Sequence, residues 1–340
     1  MMHALGARGH RAMLRAALAL AVCRLTAAMP LLRQVPMIFS HDAATGYLQP
    51  SIIKAPVYDW TITQVGSFEK QLACGARAFD MRLRLGKDGE VLMHHAKIPV
   101  NTPLSTAVED VRGWLSAHAS EMVLFIVANC EGDGCKQNAT KVFTDAGVAT
   151  VSCQELTTLS LQDAMLRGRL DGGGSALSFV DSCTTGNYEP RITCYPPYKY
   201  SVRVGRALQE VPGALREPHW TTGCYWNSSD QAVAFDAMYL YLNRTSAVPL
   251  SSHSGFNSLQ ALWQETPETV PQGMLSASSL IKDEERSGLN KNLLEKLHAD
   301  WFPHINLFEL NNVCDQGPAI QAALKLRLTK LTAEVPMIFI

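Results

Sequence analysis

The chain is 340 residues long, with 47% apolar and 18% charged residues, enough apolar matter for a sizeable core and too much for a disordered or fibrous chain. Thirty basic residues against thirty-one acidic ones leave a formal net charge of −1. No global field therefore draws it to nucleic acid or to an anionic membrane, and any such attraction has to be local.

Residues 1–30 read as a signal or targeting peptide. Arg8, Arg11, Arg15 and Arg24 precede the first acidic residue, Asp42, and surround the apolar run Ala16 to Cys23, with small residues at Thr26-Ala27-Ala28. This is the pattern of a secretory leader and implies an extracellular protein, although an Arg-rich, acid-free leader also fits an organelle transit peptide. The apolar run is too short to span a bilayer.

From 31 to 332 one domain is expected. Apolar runs at Val35 to Ser40, Ala78 to Leu85, Val91 to His95, Met122 to Ala128, Ala176 to Asp181 and Ile305 to Leu310 predict buried strands. Helical spacing predicts Ser105 to His118, Leu161 to Leu170, Leu289 to His298 and Ala319 to Leu331. Strands alternating with helices predict an α/β fold with a mostly parallel sheet under helical cover. Between Thr185 and Ser251, Pro, Tyr, Trp and Gly dominate and periodicity fades, so long loops are expected there. Tyr195, Tyr198, Trp220 and Trp226 in that stretch are candidates for a transient membrane contact. The pentapeptide Val-Pro-Met-Ile-Phe at 35–39 returns at 335–339, which marks 333–340 as the start of a truncated repeat or an artefact of the gene model.

Past the leader stand Cys74, Cys130, Cys135, Cys153, Cys183, Cys194, Cys224 and Cys314. The even count suits an oxidising compartment. Cys130 with Cys135, and Cys183 with Cys194, are near enough in sequence to pair across loops. Neither CxxC nor Cys/His metal spacing is present. Glycosylation sequons occur at Asn138, Asn227 and Asn243.

The chemistry gathers early in the chain. Between Ala78 and Leu85 the residues alternate: Phe79, Met81, Leu83 and Leu85 share one face, Asp80, Arg82 and Arg84 the other. Ser40-His41-Asp42 ends the apolar run before this strand, and an Asp88-Gly89 turn leads to His94-His95 after it. Ionisable groups collected at strand ends are the arrangement of a barrel active site. Phosphodiester cleavage needs a base, an acid and a cation, and two histidines around Asp80 and Arg82 supply that set.

The series Ser40-His41-Asp42, Thr63-Gln64, Gln71 through Arg82 and His94-His95 resembles the catalytic X-region of phosphatidylinositol-specific phospholipases C, in the metal-independent form of the bacterial and protist members. It spans about residues 35 to 130, with a weaker echo at 305 to 331. The resemblance implies a TIM-barrel-like, distorted and incompletely closed phosphodiesterase barrel. It implies His41 as general base, His95 as general acid, Asp42 and Asp80 as orienting carboxylates, and Arg82 in the place of calcium, with Arg82 and Asp80 against substrate. It implies no cofactor and no metal, a phosphatidylinositol-type lipid as substrate, a transient membrane interface, no nucleic acid, and a monomer. Ala96 stands where these proteins usually keep glycine, and Ala128 and Asn129 where others place a calcium ligand or a lysine. Glu309 or Asn311 stands in for the aspartate that buttresses the base. A related barrel phosphodiesterase on another phospholipid or glycerophosphodiester, or an inactive lipid-binding barrel, remains the alternative.

Overall fold

The computed structural model describes residues 29–48, 59–183, 191–195, 223–225, 235–247, 255–265, 270–271, 273 and 278–332. Residues 1–28 of the expected leader at 1–30, the repeated tail at 333–340, Asn227, Tyr198, Trp220 and Trp226 lie outside them.

Among the described residues eleven strands form one sheet: β1 (Met37–Ser40), β2 (Ala76–Leu85), β3 (Val91–His95), β4 (Ile98–Pro103), β5 (Met122–Glu131), β6 (Ala149–Thr150), β7 (Ser175–Phe179), β8 (Arg191–Tyr195), β9 (Gly223–Tyr225), β10 (Ser258–Trp263) and β11 (Leu307–Leu310). Their order is β6-β7-β5-β2-β1-β11-β10-β8-β9. Every pair along it is parallel except β8 with β9. All six expected strands are present, while β10 carries too little local signal to be predicted. The expected helices form at Leu104–Ala117, Leu161–Arg167, Leu289–His298 and Gly317–Thr332.

The strand β3 departs from the expected barrel plan. It returns antiparallel along β2 and pairs with β4 as a hairpin set off the main path. His95 therefore reaches the site from a hairpin tip, because the short Asp88-Gly89 turn leaves no room for a parallel crossover. Ala96, in the turn between β3 and β4, has φ 48°, the left-handed conformation that glycine takes without strain.

Period-two alternation sorts the strand residues into two cores. Phe79, Met81 and Leu83 of β2 and Val123, Phe125 and Val127 of β5 face the helical cover. Ala78 of β2, Leu124 and Ile126 of β5, Phe39 of β1, Leu177 and Phe179 of β7 and Leu307 of β11 fill the barrel interior. The interior set stops partway up: two positions beyond Ala78 and Leu307 on the same faces come Asp80 and Glu309, both buried. The lower half of the barrel is apolar and the upper half polar.

Among the described residues no ladder of hydrogen bonds joins the two ends of the sheet, so the barrel is incompletely closed, as expected. An edge contact between Phe179 and Phe256, and the Phe256 N–H donating to the Cys183 carbonyl at 2.7 Å, bridge from β7 to the entry of β10.

Among the described residues, disulfides join Cys74 to Cys314, Cys130 to Cys135, and Cys153 to Cys183. The expected Cys130 to Cys135 pair is borne out. The expected pairing of Cys183 with Cys194 is not: Cys183 takes Cys153, because β6 and β7 are neighbours and their outgoing loops converge. Cys194 sits on β8, far along the sheet, and is disulfide-bonded itself. Near the Cys74 bridge, a side chain on Gly317 would meet the Cys74 carbonyl at 2.3 Å, so only glycine allows the last helix to approach so closely. No helix among the described residues is long and apolar enough to cross a membrane.

Of the sequons, Asn243 is engaged internally: its Oδ1 accepts the Phe302 N–H at 2.7 Å. Asn138 is half-buried on the helix Cys135–Asp145, with its Nδ2 donating to the Gly134 carbonyl.

Candidate active site

The five residues singled out in the sequence meet at the polar end of the barrel. His41 and Asp42 follow the last residue of β1, and Asp42 has φ 43°, a left-handed conformation that aspartate tolerates better than most residues. That turn aims the Asp42 N–H at Asp80 Oδ2, 3.0 Å away, and stands its carboxylate in the middle of the group.

Asp42 is the hub. Its Oδ2 lies 3.2 Å from His41 Nε2 and 3.0 Å from His95 Nε2, and its Oδ1 lies 2.9 Å from Arg82 Nε. Arg82 also donates from Nη2 to Asp80 Oδ2 at 3.1 Å. Both histidines and the arginine are thus tied to two carboxylates that are almost completely inaccessible. His95 and Arg82 keep 26% and 34% of their side chains exposed against 7% for His41, so they form the wet wall of the site while His41 lies behind. The neighbouring His94 is turned away, with Nδ1 against the Ala96 carbonyl at 2.8 Å.

The base-like histidine is buttressed by Asn311, and this decides between the two residues the sequence offers. His41 Nδ1 contacts Asn311 Oδ1 at 2.8 Å, and Asn311 Nδ2 donates to the Trp263 carbonyl at 2.6 Å. A carbonyl only accepts, so the amide nitrogen must face Trp263 and the amide oxygen His41. His41 Nδ1 then carries a proton, and Nε2, which faces Asp42 Oδ2 at 3.2 Å, is the ring nitrogen through which a proton can be exchanged. An asparagine thus fixes ring orientation and tautomer as an aspartate would, but without adding a negative charge.

Glu309 has a different place. It lies on the interior face of β11, 2% exposed, with carboxylate oxygens, Asp80 and His41 offering atoms within 4.8 Å of one another. Burial, then the nearby Asp80 and Asp42, lift its pKa to about 7, while His41 and a hydrogen bond from Gln260 pull the other way. Burial by itself would lower the pKa of His41, but Asp42, Glu309 and Asp80 outweigh it and hold it above the ordinary value. Burial opposes ionisation of Asp42 as well, and the positive partners His41, His95 and Arg82 overcome it and hold this carboxyl far below its ordinary range. For Arg82, Asp80 and Asp42 likewise overcome the cost of burial and raise the pKa further. Asp42 is thereby an anion and Arg82 a cation at any working pH.

The loop after the site is fastened from below. Gln64 Nε2 donates to the carbonyls of His41 and Leu310, its Oε1 accepts the Val313 N–H, and Thr63 Oγ1 donates to the His41 carbonyl. One buried amide therefore pins the ends of β1 and β11, which carry His41 and Asn311. Asn290 adds a donor to the Asn311 carbonyl at 3.1 Å. The Thr63-Gln64 pair forms part of the sequence pattern, whereas Trp263, Asn290 and Gln260 offer no local signal: Trp263 acts through its backbone carbonyl, and the side chains of Asn290, on a helix, and Gln260, on β10, are brought near only by the fold.

The site can hold an anion against Arg82, accept a proton at His41 Nε2 and donate one from His95. Ala128 sits in a bulge of β5 opposite the step from Met81 to Arg82, and Asn129 donates to Glu131 at 3.2 Å, so neither supplies a cation at this position.

No family model matches the chain. It is 27% identical over 152 residues to a PI-PLC X domain-containing protein 1 of Danio rerio, a match covering 44% of this chain and 47% of that protein, so the chain spans about half the length of the curated relative. Among solved structures, a phosphatidylinositol-specific phospholipase C of Staphylococcus aureus is 12% identical, with a TM-score of 0.49 over 83% of this chain and 87% of that one. The phosphatidylinositol-specific phospholipase C of Listeria monocytogenes is also 12% identical, with a TM-score of 0.46 over 89% and 97%. The chain is similar to the PI-PLC X-domain proteins, as the motif series in its sequence implies.

Proposed function

We propose that this chain is a phosphodiesterase that cleaves phosphatidylinositol, or a glycosylated inositol anchor, into diacylglycerol and a cyclic inositol phosphate without a metal ion. The observation that carries the reading is the sharing of the buried Asp42 carboxylate by His41, His95 and Arg82.

In this mechanism His41 Nε2 takes the proton of the inositol 2-hydroxyl, and that oxygen attacks phosphorus. The bond from phosphorus to the diacylglycerol oxygen breaks, and His95 delivers its proton to the departing oxygen. Arg82 faces the phosphate. Two of its nitrogens are held by Asp42 and Asp80, which leaves Nη1 for a phosphate oxygen and keeps the guanidinium in place as charge builds at phosphorus. Asp42 orients both rings, and Asp80 holds Asp42 and Arg82 in register. The disulfides, and the leader expected from the sequence, fit a secreted protein that meets lipid only transiently at a membrane surface.

The test is to incubate the purified chain with phosphatidylinositol vesicles in excess EDTA and follow the products by phosphorus NMR. A cyclic inositol phosphate signal is expected. Replacing His41 or His95 with alanine should lower the rate by ~10²- to 10⁴-fold, and replacing Arg82 by ~10²- to 10³-fold. No cyclic product under any condition would sink the proposal and favour a lipid-binding barrel. Activity that appears only after magnesium is restored would favour a metal-dependent phosphodiesterase on another phospholipid.

A further inference from the structure

We propose that His41, Asp80 and Glu309 form a chelating site for a divalent transition ion of the zinc class, and that an ion bound there switches the active site off by occupying the base. The binding half stands on geometry alone; the inhibition half rests on His41 being the base of the proposed reaction.

Three strands supply the donors. His41 stands at the end of β1, Asp80 on the interior face of β2, and Glu309 on the interior face of β11, with exposures of 6%, 1% and 2%. One ligand atom from each lies within 4.8 Å of the other two. Tetrahedral zinc, with bonds of about 2.0 to 2.2 Å, sets its ligands roughly 3.4 Å apart, so side-chain rotations of about an ångström close the set.

A second, independent observation points to a ligand. Asp80 Oδ2 is taken by the Asp42 N–H and by Arg82, but Asp80 Oδ1 is buried and has no hydrogen-bond partner. Buried carboxylate oxygens are nearly always satisfied, and an ion shared with Glu309 and His41 would satisfy this one. Asn311 prepares the nitrogen donor. A metal-bound histidine ordinarily donates its other ring N–H to an oxygen, and His41 does so to an amide held in turn by the Trp263 carbonyl.

One imidazole nitrogen and two carboxylate oxygens match zinc, cobalt or manganese. Calcium prefers six to eight oxygens and magnesium an octahedron rich in water, so neither suits this site. Arg82 does not have to leave, because it holds Asp42 and the opposite oxygen of Asp80. Thiols do not compete among the described residues, since Cys74, Cys130, Cys135, Cys153, Cys183, Cys194 and Cys314 are all disulfide-bonded.

The experiment uses the full chain, freed of metal by chelator. Zinc and cobalt are titrated by calorimetry, cobalt additionally by its visible absorption, with calcium and magnesium as controls. We expect one ion per chain, cobalt bands of a four- or five-coordinate centre, and no calcium binding. Glu309→Gln should weaken binding by ~10- to 100-fold. His41→Ala, at the rim of the barrel, serves as a second variant should Glu309→Gln fail to fold, and circular dichroism checks both. In the vesicle assay zinc should suppress turnover and EDTA should restore it. Absence of one-to-one binding, unchanged zinc affinity in a folded Glu309→Gln or His41→Ala chain, or a rise in turnover on adding zinc would each overturn the proposal. Should the chain cleave no phosphatidylinositol at all, the proposed reaction fails, and the cobalt spectrum alone still decides whether the site exists.

Discussion

Replacing Asn311 with leucine removes one side chain that serves two buried partners at once. In the native protein its Oδ1 satisfies His41 Nδ1 at 2.8 Å and its Nδ2 satisfies the Trp263 carbonyl at 2.6 Å, in a place with no solvent access. Leucine keeps the forked outline of the side chain, though its two methyls are bulkier than the amide, so any packing strain adds to the loss of the two contacts. Each partner abandoned in such a site costs about 1 to 3 kcal/mol, so the variant should be less stable by about 2 to 6 kcal/mol, read as a lowered urea midpoint with an unchanged slope. The second consequence is catalytic. With Nδ1 no longer held, the ring is free to turn toward Asp42 alone, and the Nε2 lone pair is misdirected. Turnover on phosphatidylinositol should fall roughly 10- to 10²-fold with little change in KM, since an orienting contact acts on the transition state rather than on ground-state binding. The assay is a pair of measurements on one protein preparation: urea unfolding and the vesicle rate. A destabilisation below about 1 kcal/mol would show that the two contacts are not what holds this corner. A rate within a factor of about three of wild type would show that His41 needs no buttress, and the assignment of Nε2 as the working nitrogen would lose its support.

Three further outcomes are expected. Removing the Cys74 to Cys314 bridge with two alanines frees a loop with a sequence separation of 240, for which the chain-entropy model gives about 5 kcal/mol as an upper figure; a loss of at least ~2 kcal/mol in urea is expected, and a loss under ~1 would refute that role. Glu284 is fully buried, with Oε1 unpartnered and Oε2 accepting the Trp263 N–H. Burial chiefly, then Asp315, raise its pKa well above the ordinary value. A raised folded pKa means the folded state holds its proton longer than the unfolded chain, so stability is greatest below the ordinary carboxylate range and declines as pH rises through the folded value. Glu284→Gln should abolish that decline, and parallel curves of stability against pH for the two chains would disprove it. Finally, Ala96→Gly relieves the positive φ in the β3–β4 turn and should stabilise the hairpin by about 1 kcal/mol; destabilisation on thermal unfolding would show that the turn is not strained.

Much of the site could be read from local pattern. The alternation from Ala78 to Leu85 placed Asp80 and Arg82 on the face opposite Phe79, Met81 and Leu83, and they are on the barrel interior while those three pack under the helices. His41 and His95 were legible because each ends a short apolar run. Local pattern failed where a residue's role depends on a distant strand. Nothing near position 309 or 311 says which side chain meets His41, since both are polar and two apart on the same stretch; the pleat and the end of β11 send Glu309 into the barrel beneath the site and Asn311 to the histidine ring. The partner of Cys183 escapes local pattern for the same reason. Sequence distance favoured Cys194, whereas the pairing of β6 with β7 delivers Cys153. The β3 strand shows the converse: its existence was evident, but its direction was set by the length of the preceding turn.

The amino-acid sequence by itself determined the strand and helix rhythm, the polar and apolar faces of the strand that carries Asp80 and Arg82, and the gathering of His41, Asp80, Arg82 and His95 around neighbouring strands, because these depend on spacing along a few residues. The tertiary structure alone decided that one carboxylate, Asp42, joins His41, His95 and Arg82, and that Asn311 rather than Glu309 supports the base. Those facts depend on register between strands separated by more than 200 residues, Phe39 beside Glu309 and Ser40 beside Leu310, and register is a property of the assembled sheet and not of any segment.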